Sequence, residues 1–189
     1  MFRKQIIAIT AIILISYCGL VFAVEDGFIV AKQISSDYFT ILYDPEVDLP
    51  GLSDQLNIGL SERILAGRTQ RAAPSPEKEL GEMLDTLFIR VSDILDMQLY
   101  DKFQGTIKIC KTSEQLRSIY YNLLAEQMNS DYPFYIHQYN TIYISAENFN
   151  SAVLGHELAH AVISHYFVVL PPLKMQEILA GYVEYQLRK

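Results

Sequence analysis

Over residues 152–163 every position is apolar or small except three, His156, Glu157 and His160, in the stretch "VLGHELAHAVISHYF". A helix that is hydrophobic all round is buried. Burying two imidazoles and a carboxylate costs several kcal/mol unless each finds a partner. The spacing supplies one. Residues four apart on a helix are about 40° apart in rotation and one turn in rise, so both rings reach a common point. Glu157 sits about 100° round from His156 and reaches a group held between the rings. A metal ion satisfies the imidazoles, and a water at that ion satisfies the carboxylate. The plainer alternative is a core helix whose histidines bond to neighbouring groups. H-E-x-x-H is expected by chance about 0.005 times in a chain of this composition, which weighs against it.

A catalytic zinc takes three protein ligands and leaves one position open. His165 lies near, but five residues after His160 is about 140° round the helix. The H-E-x-x-H-x-x-G-x-x-H pattern would need glycine at 163 and histidine at 166, where this chain has Ile163 and Tyr166. Pro171 and Pro172 end one helix and can start another. In an antiparallel hairpin turning there, Glu177 arrives level with His160. Ala180 and Gly181, three and four residues on, are expected to let the two helices approach closely. Glu184 is aligned with Glu177 two turns later. It is a reserve ligand, a partner for a histidine N–H, or a solvated surface carboxylate.

The rest of the chain is read as one α+β domain over residues 24–189. A small mixed sheet packs on helices, and the chain closes with an antiparallel helical hairpin that carries the metal site. Strands are expected at "GFIVAKQ", "YFTILYD", "GTIKIC", "PFYIH" and "TIYIS". Helices are expected at "LSDQLNIGLSERIL", "ELGEMLDTLFIRVSDILDM", "SEQLRSIYYNLLAEQM" with Ser113 as N-cap, 151–166 and 172–188.

Residues 1–23 have the form of a secretory signal: basic Arg3 and Lys4, an apolar run over 6–21, then Val21 and Ala23 at the −3 and −1 positions. An uncleaved anchor is the alternative. Cleavage removes two of the 15 basic residues and none of the 22 acidic ones, leaving 13 against 22 and a formal charge of −9. That balance excludes nucleic acid as a partner and disfavours an anionic membrane. Export to a secreted or periplasmic location follows, with no stable membrane insertion after cleavage. Cys110 is then the sole cysteine, so no intrachain disulfide is expected.

"HELAH" followed by "PPLKMQEILAGYVEY" resembles the gluzincin zinc metallopeptidases, especially small peptidase MA-like domains, whose second helix carries a motif like E-G-L-A-x-Y. Glu177, Leu179, Ala180 and Tyr182 match it. Ile178 replaces the usual glycine, and Lys174 stands where tryptophan is frequent. The resemblance implies a zincin-like fold and one Zn2+ held by His156, His160 and Glu177. It also implies hydrolysis of a peptide or protein substrate with Glu157 as general base. A substrate strand would pair with an edge strand beside the metal, for which "TIYIS" is the candidate. A second electrophile is also needed. Tyr182 is the first choice, with Tyr143, His137 and His165 behind it. The sequence runs only 12 residues past Glu177. A protein partner completing the cleft, or a metal-bound or metal-free module that binds without cleaving, is therefore the competing expectation.

Overall fold

The computed structural model describes residues 26–29, 32–67, 75–99 and 103–189. The segment 1–23, expected to be a secretory signal, lies outside the described residues. Among the described residues five strands and six α-helices follow one another as β1 (Lys32–Ser35), β2 (Phe39–Tyr43), α1 (Leu49–Leu56), α2 (Leu60–Leu65), α3 (Pro76–Leu95), β3 (Gly105–Cys110), α4 (Ser113–Leu124), β4 (Phe134–Ile136), β5 (Thr141–Ser145), α5 (Ser151–Tyr166) and α6 (Leu173–Leu187). The protein is α+β, with a mixed sheet ordered β1-β2-β3-β5-β4. The central pairs β2–β3 and β3–β5 are parallel, and the outer pairs β1–β2 and β4–β5 are antiparallel. Among the described residues no helix is long and apolar enough to cross a membrane.

Period-two alternation splits the sheet's side chains between two cores. Ile41, Ile107, Ile109, Ile142 and Ile144 face the layer of α1, α3, α5 and α6. Cys110 and Tyr143 face the other way, against Leu116 and Ile119 of α4. Every residue of β5 is buried. That corrects the expectation that "TIYIS" is an edge. A strand with both faces covered and a neighbour on each side is interior, and the edge is the three-residue β4. The two strands join through a single turn of 3₁₀-helix, His137–Tyr139, and Asn140 in the left-handed region at φ 45°.

Other boundaries move for local reasons. "LSDQLNIGLSERIL" is two helices, because Asn57 takes a left-handed φ of 51° and closes α1. Asp26 Oδ1 accepts the Phe28 N–H at 2.8 Å, making a side-chain turn through Gly27 at φ 82°, so "GFIVAKQ" opens on a turn. Thr112, not Ser113, caps α4 by accepting the Gln115 N–H. Ser113 Oγ lies instead against Ser145 Oγ at 3.3 Å.

Asp26 ties the N-terminal segment to the α4 side of the sheet. Its Oδ2 accepts Lys108 Nζ at 2.5 Å and Tyr143 O–H at 2.7 Å, and the residue is 1% exposed. Burial alone raises its pKa. Hydrogen bonds from Lys108, Tyr143 and the Phe28 N–H outweigh burial and hold the carboxyl below the usual value. Asp26→Ala strands the partly buried Lys108 ammonium and the buried Tyr143 hydroxyl, and is expected to cost about 3 kcal/mol in urea unfolding. A depressed folded-state pKa stabilises above the unfolded value, so this contribution is complete at neutral pH. It is lost as pH falls below about 4. A cost below about 0.5 kcal/mol, in the range of an exposed pair, would show that the segment is not held this way.

Candidate metal centre

Asn150 starts α5 by accepting the Val153 N–H at 3.0 Å, and the helix then runs through the core with ten of its sixteen residues buried. The largest helix–helix contact is α5 against α6, an antiparallel hairpin. Ala159 and Ala180 are fully buried. Gly155 makes room for the Leu187 side chain at this contact, since a Cβ there would lie 2.1 Å from Leu187 Cδ1. Gly181, expected to ease the helices' approach, does not: a Cβ there meets nothing within 4 Å.

The hairpin delivers Glu177 to the two histidines. His156 Nε2 is 3.5 Å from Glu177 Oε2, and His160 Nε2 is 3.4 Å from Glu177 Oε1. One ligand atom from each residue falls within 4.8 Å of the other two. Both carboxylate contacts are longer than an ordinary hydrogen bond of about 2.7–3.2 Å. They run to the two different oxygens of Glu177, and each is close to the roughly 3.3–3.4 Å that separates ligands of a tetrahedral ion with bonds of about 2.0–2.1 Å. Two imidazoles and one carboxylate, with an open side on a cleft, match the kind of donor set that a catalytic zinc takes. The residues present fit that ion.

Glu184 completes the orientation of the first histidine. Its Oε2 lies 3.1 Å from His156 Nδ1, and its Oε1 accepts Arg188 Nη2 at 2.5 Å. With Nδ1–H donated to a carboxylate, the Nε2 lone pair points to the shared site. His160 has a lowered pKa because burial disfavours its cation and His156 adds repulsion, against the opposing pull of Glu177 and Gln176. A neutral ring is the form that binds metal.

Glu157 lies one residue along and does not share the rings' direction. It is 8% exposed. Burial pushes its pKa up to about 8, the charges of Glu177 and Glu184 add to this, and the backbone N–H of Tyr135 partly offsets them. The cleft above it is walled by β4 on one side and, on the other, by Leu170 of the hairpin turn and Leu173 and Gln176 of α6.

Of the candidate electrophiles, His137 lines this cleft. Tyr182 does not. Five residues after Glu177 is about 140° round α6, the same geometry that turns His165 aside, and Tyr182 is 49% exposed on the outer face. His165 Nδ1 meets the Ala161 carbonyl at 2.8 Å, with its ring edge-on to Phe103. Tyr143 is on the opposite side of the sheet, bonded to Asp26. Tyr135 was missed by sequence reasoning. It lines the cleft, and its hydroxyl is 3.0 Å from both Asn140 Oδ1 and Ser164 Oγ. With "TIYIS" read as the edge, nothing in "PFYIH" singles it out. The chain matches no protein-family model, no curated protein and no solved structure with which it was compared, so the chemistry of this cleft has to be read from its own residues.

Proposed function

We propose that the protein is an exported zinc-dependent peptidase with a zincin-like site. The observation that carries this is the convergence of His156, His160 and Glu177 beside a buried Glu157 in one open cleft. A zinc ion held by these three residues supplies a Lewis acid and brings a water's pKa toward about 7.

Each side chain then has a separate task. Glu157 accepts the proton of the attacking water and returns it to the leaving amine. Burial and the charges of Glu177 and Glu184 raise its pKa, and a dication held beside it would favour the ionised form that a base needs. Glu184 fixes the tautomer and aim of His156. Tyr135 lies on β4, the edge strand of the sheet on this side, and lines the cleft beside Glu157. An extended substrate chain can pair with that edge. The substrate class is therefore an unfolded segment of a protein or peptide, since only an extended backbone can pair with an edge strand.

The purified protein should cleave denatured proteins or a peptide library, lose that activity to a chelator, and regain it with zinc. Zinc-loaded protein that cleaves nothing would contradict the proposal and favour a partner-binding domain. Glu184→Gln is expected to weaken zinc binding about 10- to 100-fold, the usual effect of losing a group that orients a ligand. Competition against a calibrated chelator measures it, and an unchanged affinity would remove Glu184 from the site.

A further inference from the structure

The metal cleft does not present the same surface along its length. β4 points toward the hairpin turn: the Tyr135 N–H bonds to Glu157, whereas the His137 ring lies 6.2 Å from that of His165, near the end of α5. α6 runs back from the turn, and Leu173 lies four residues before Glu177, about 6 Å nearer the turn. The polar residues at this end are turned to other protein groups. The Tyr135 hydroxyl is 3.0 Å from Asn140 Oδ1 and from Ser164 Oγ. Gln176 Nε2 donates to the Pro171 carbonyl at 2.8 Å, and His137 sets its ring against those of Tyr135 and His165. Leu170 and Leu173 line the same cleft and are 41% and 69% exposed. Pro171 and Pro172 have fixed φ, and the Gln176 bond braces the turn, so the two leucines stand on a stiff wall.

We propose that the turn end is a subsite for a large apolar side chain on the substrate residue immediately before the cleaved bond. This rests on the zinc-peptidase reading, which supplies the cleaved bond, and adds which residue is selected and by what. Direction comes from β4. A substrate paired antiparallel to it, the slightly more stable arrangement per residue, runs from the turn end toward the metal ligands and past them. The chain before the bond then lies by Leu170 and Leu173. The next residue back points its side chain the opposite way, so a single position is read. A charged side chain finds no counterpart among the leucines, and no Lys or Arg lines the cleft among the described residues. The cleft volume of about 360 Å³ is in the range of a small-ligand site.

Binding to the zinc-loaded protein tests this without turnover. In N-acetyl-leucine hydroxamate the chelating group stands at the cleaved bond and the leucine side chain on the residue before it. Calorimetry should show it binding at least about tenfold more tightly than N-acetyl-glycine hydroxamate, the effect of burying most of one leucine side chain. Leu170→Asn combined with Leu173→Asn should bring that ratio to within about twofold, and Leu173→Asn alone should lower it. Both leucines are exposed, so zinc content, melting curve and affinity for the glycine compound should stay as in the parent. A peptide library cut by the parent should show large apolar residues enriched before the bond. Equal binding of the two hydroxamates would overturn the subsite and leave the metal reading standing. A leucine preference that survives the double variant, or an enrichment confined to residues after the bond, would overturn its placement. Protein that takes up no zinc would overturn the metal reading and this inference with it.

Discussion

Glu157→Gln is expected to fold, to bind zinc as the parent does, and to lose about 10²- to 10⁴-fold in hydrolysis rate, the usual cost of removing a general base. The substitution keeps the size of the side chain and its capacity to accept the Tyr135 N–H. It removes only the proton acceptor. Stability should not suffer. Burial raises the Glu157 pKa to about 8 in the metal-free protein, so the neutral carboxyl is the form the site holds at pH 7. A neutral amide replaces it at little cost. Rate assays at matched zinc content, with a melting curve for each protein, separate the outcomes. Equal activity in the two proteins would place the chemistry elsewhere. Loss of zinc from the variant would make Glu157 a ligand.

Zinc-linked stabilisation gives the second large effect. At a free zinc concentration of 1,000 times the dissociation constant, a ligand that binds only the folded state adds about 4 kcal/mol. The wild-type chain should show this as a rise in melting temperature. Glu177→Ala should abolish the rise at the same zinc concentration, because the hairpin brings no other carboxylate to within 3.5 Å of both Nε2 atoms among the described residues. His165→Ala should leave it intact, since that ring is turned to the Ala161 carbonyl. Retention of the shift in Glu177→Ala together with its loss in His165→Ala would overturn the ligand assignment.

How far the sequence could be read differs from element to element, for physical reasons. α5 was legible to the residue because an apolar helix with three polar intruders admits few environments. Glu177 followed from the proline-marked turn and simple antiparallel counting, and Glu184 met His156 as one of its three anticipated roles. Sheet order was not legible. "TIYIS" and "PFYIH" both read as strands, and only the complete burial of the former, a property of its neighbours, makes it interior. The same error hid Tyr135. Tyr182 was drawn in by a motif match, although the rotation that excluded His165 applies to it equally. Gly181 was given to the α5–α6 contact, where it is Gly155 that makes room. Which of two small residues faces a partner helix depends on packing depth, and spacing alone does not carry that information.

The central claim is that His156, His160 and Glu177 together hold one divalent ion. Zinc X-ray absorption on the reconstituted protein tests it most directly. The account predicts about one zinc per chain, in a shell of nitrogen and oxygen only at about 2.0–2.1 Å, with the outer-shell scattering of two imidazoles. Protein that retains no zinc, or a spectrum with a sulfur neighbour at about 2.3 Å, would contradict it. Cys110 is buried with its thiol pushed up to about 12, so a sulfur signal would require a fold different from the one described.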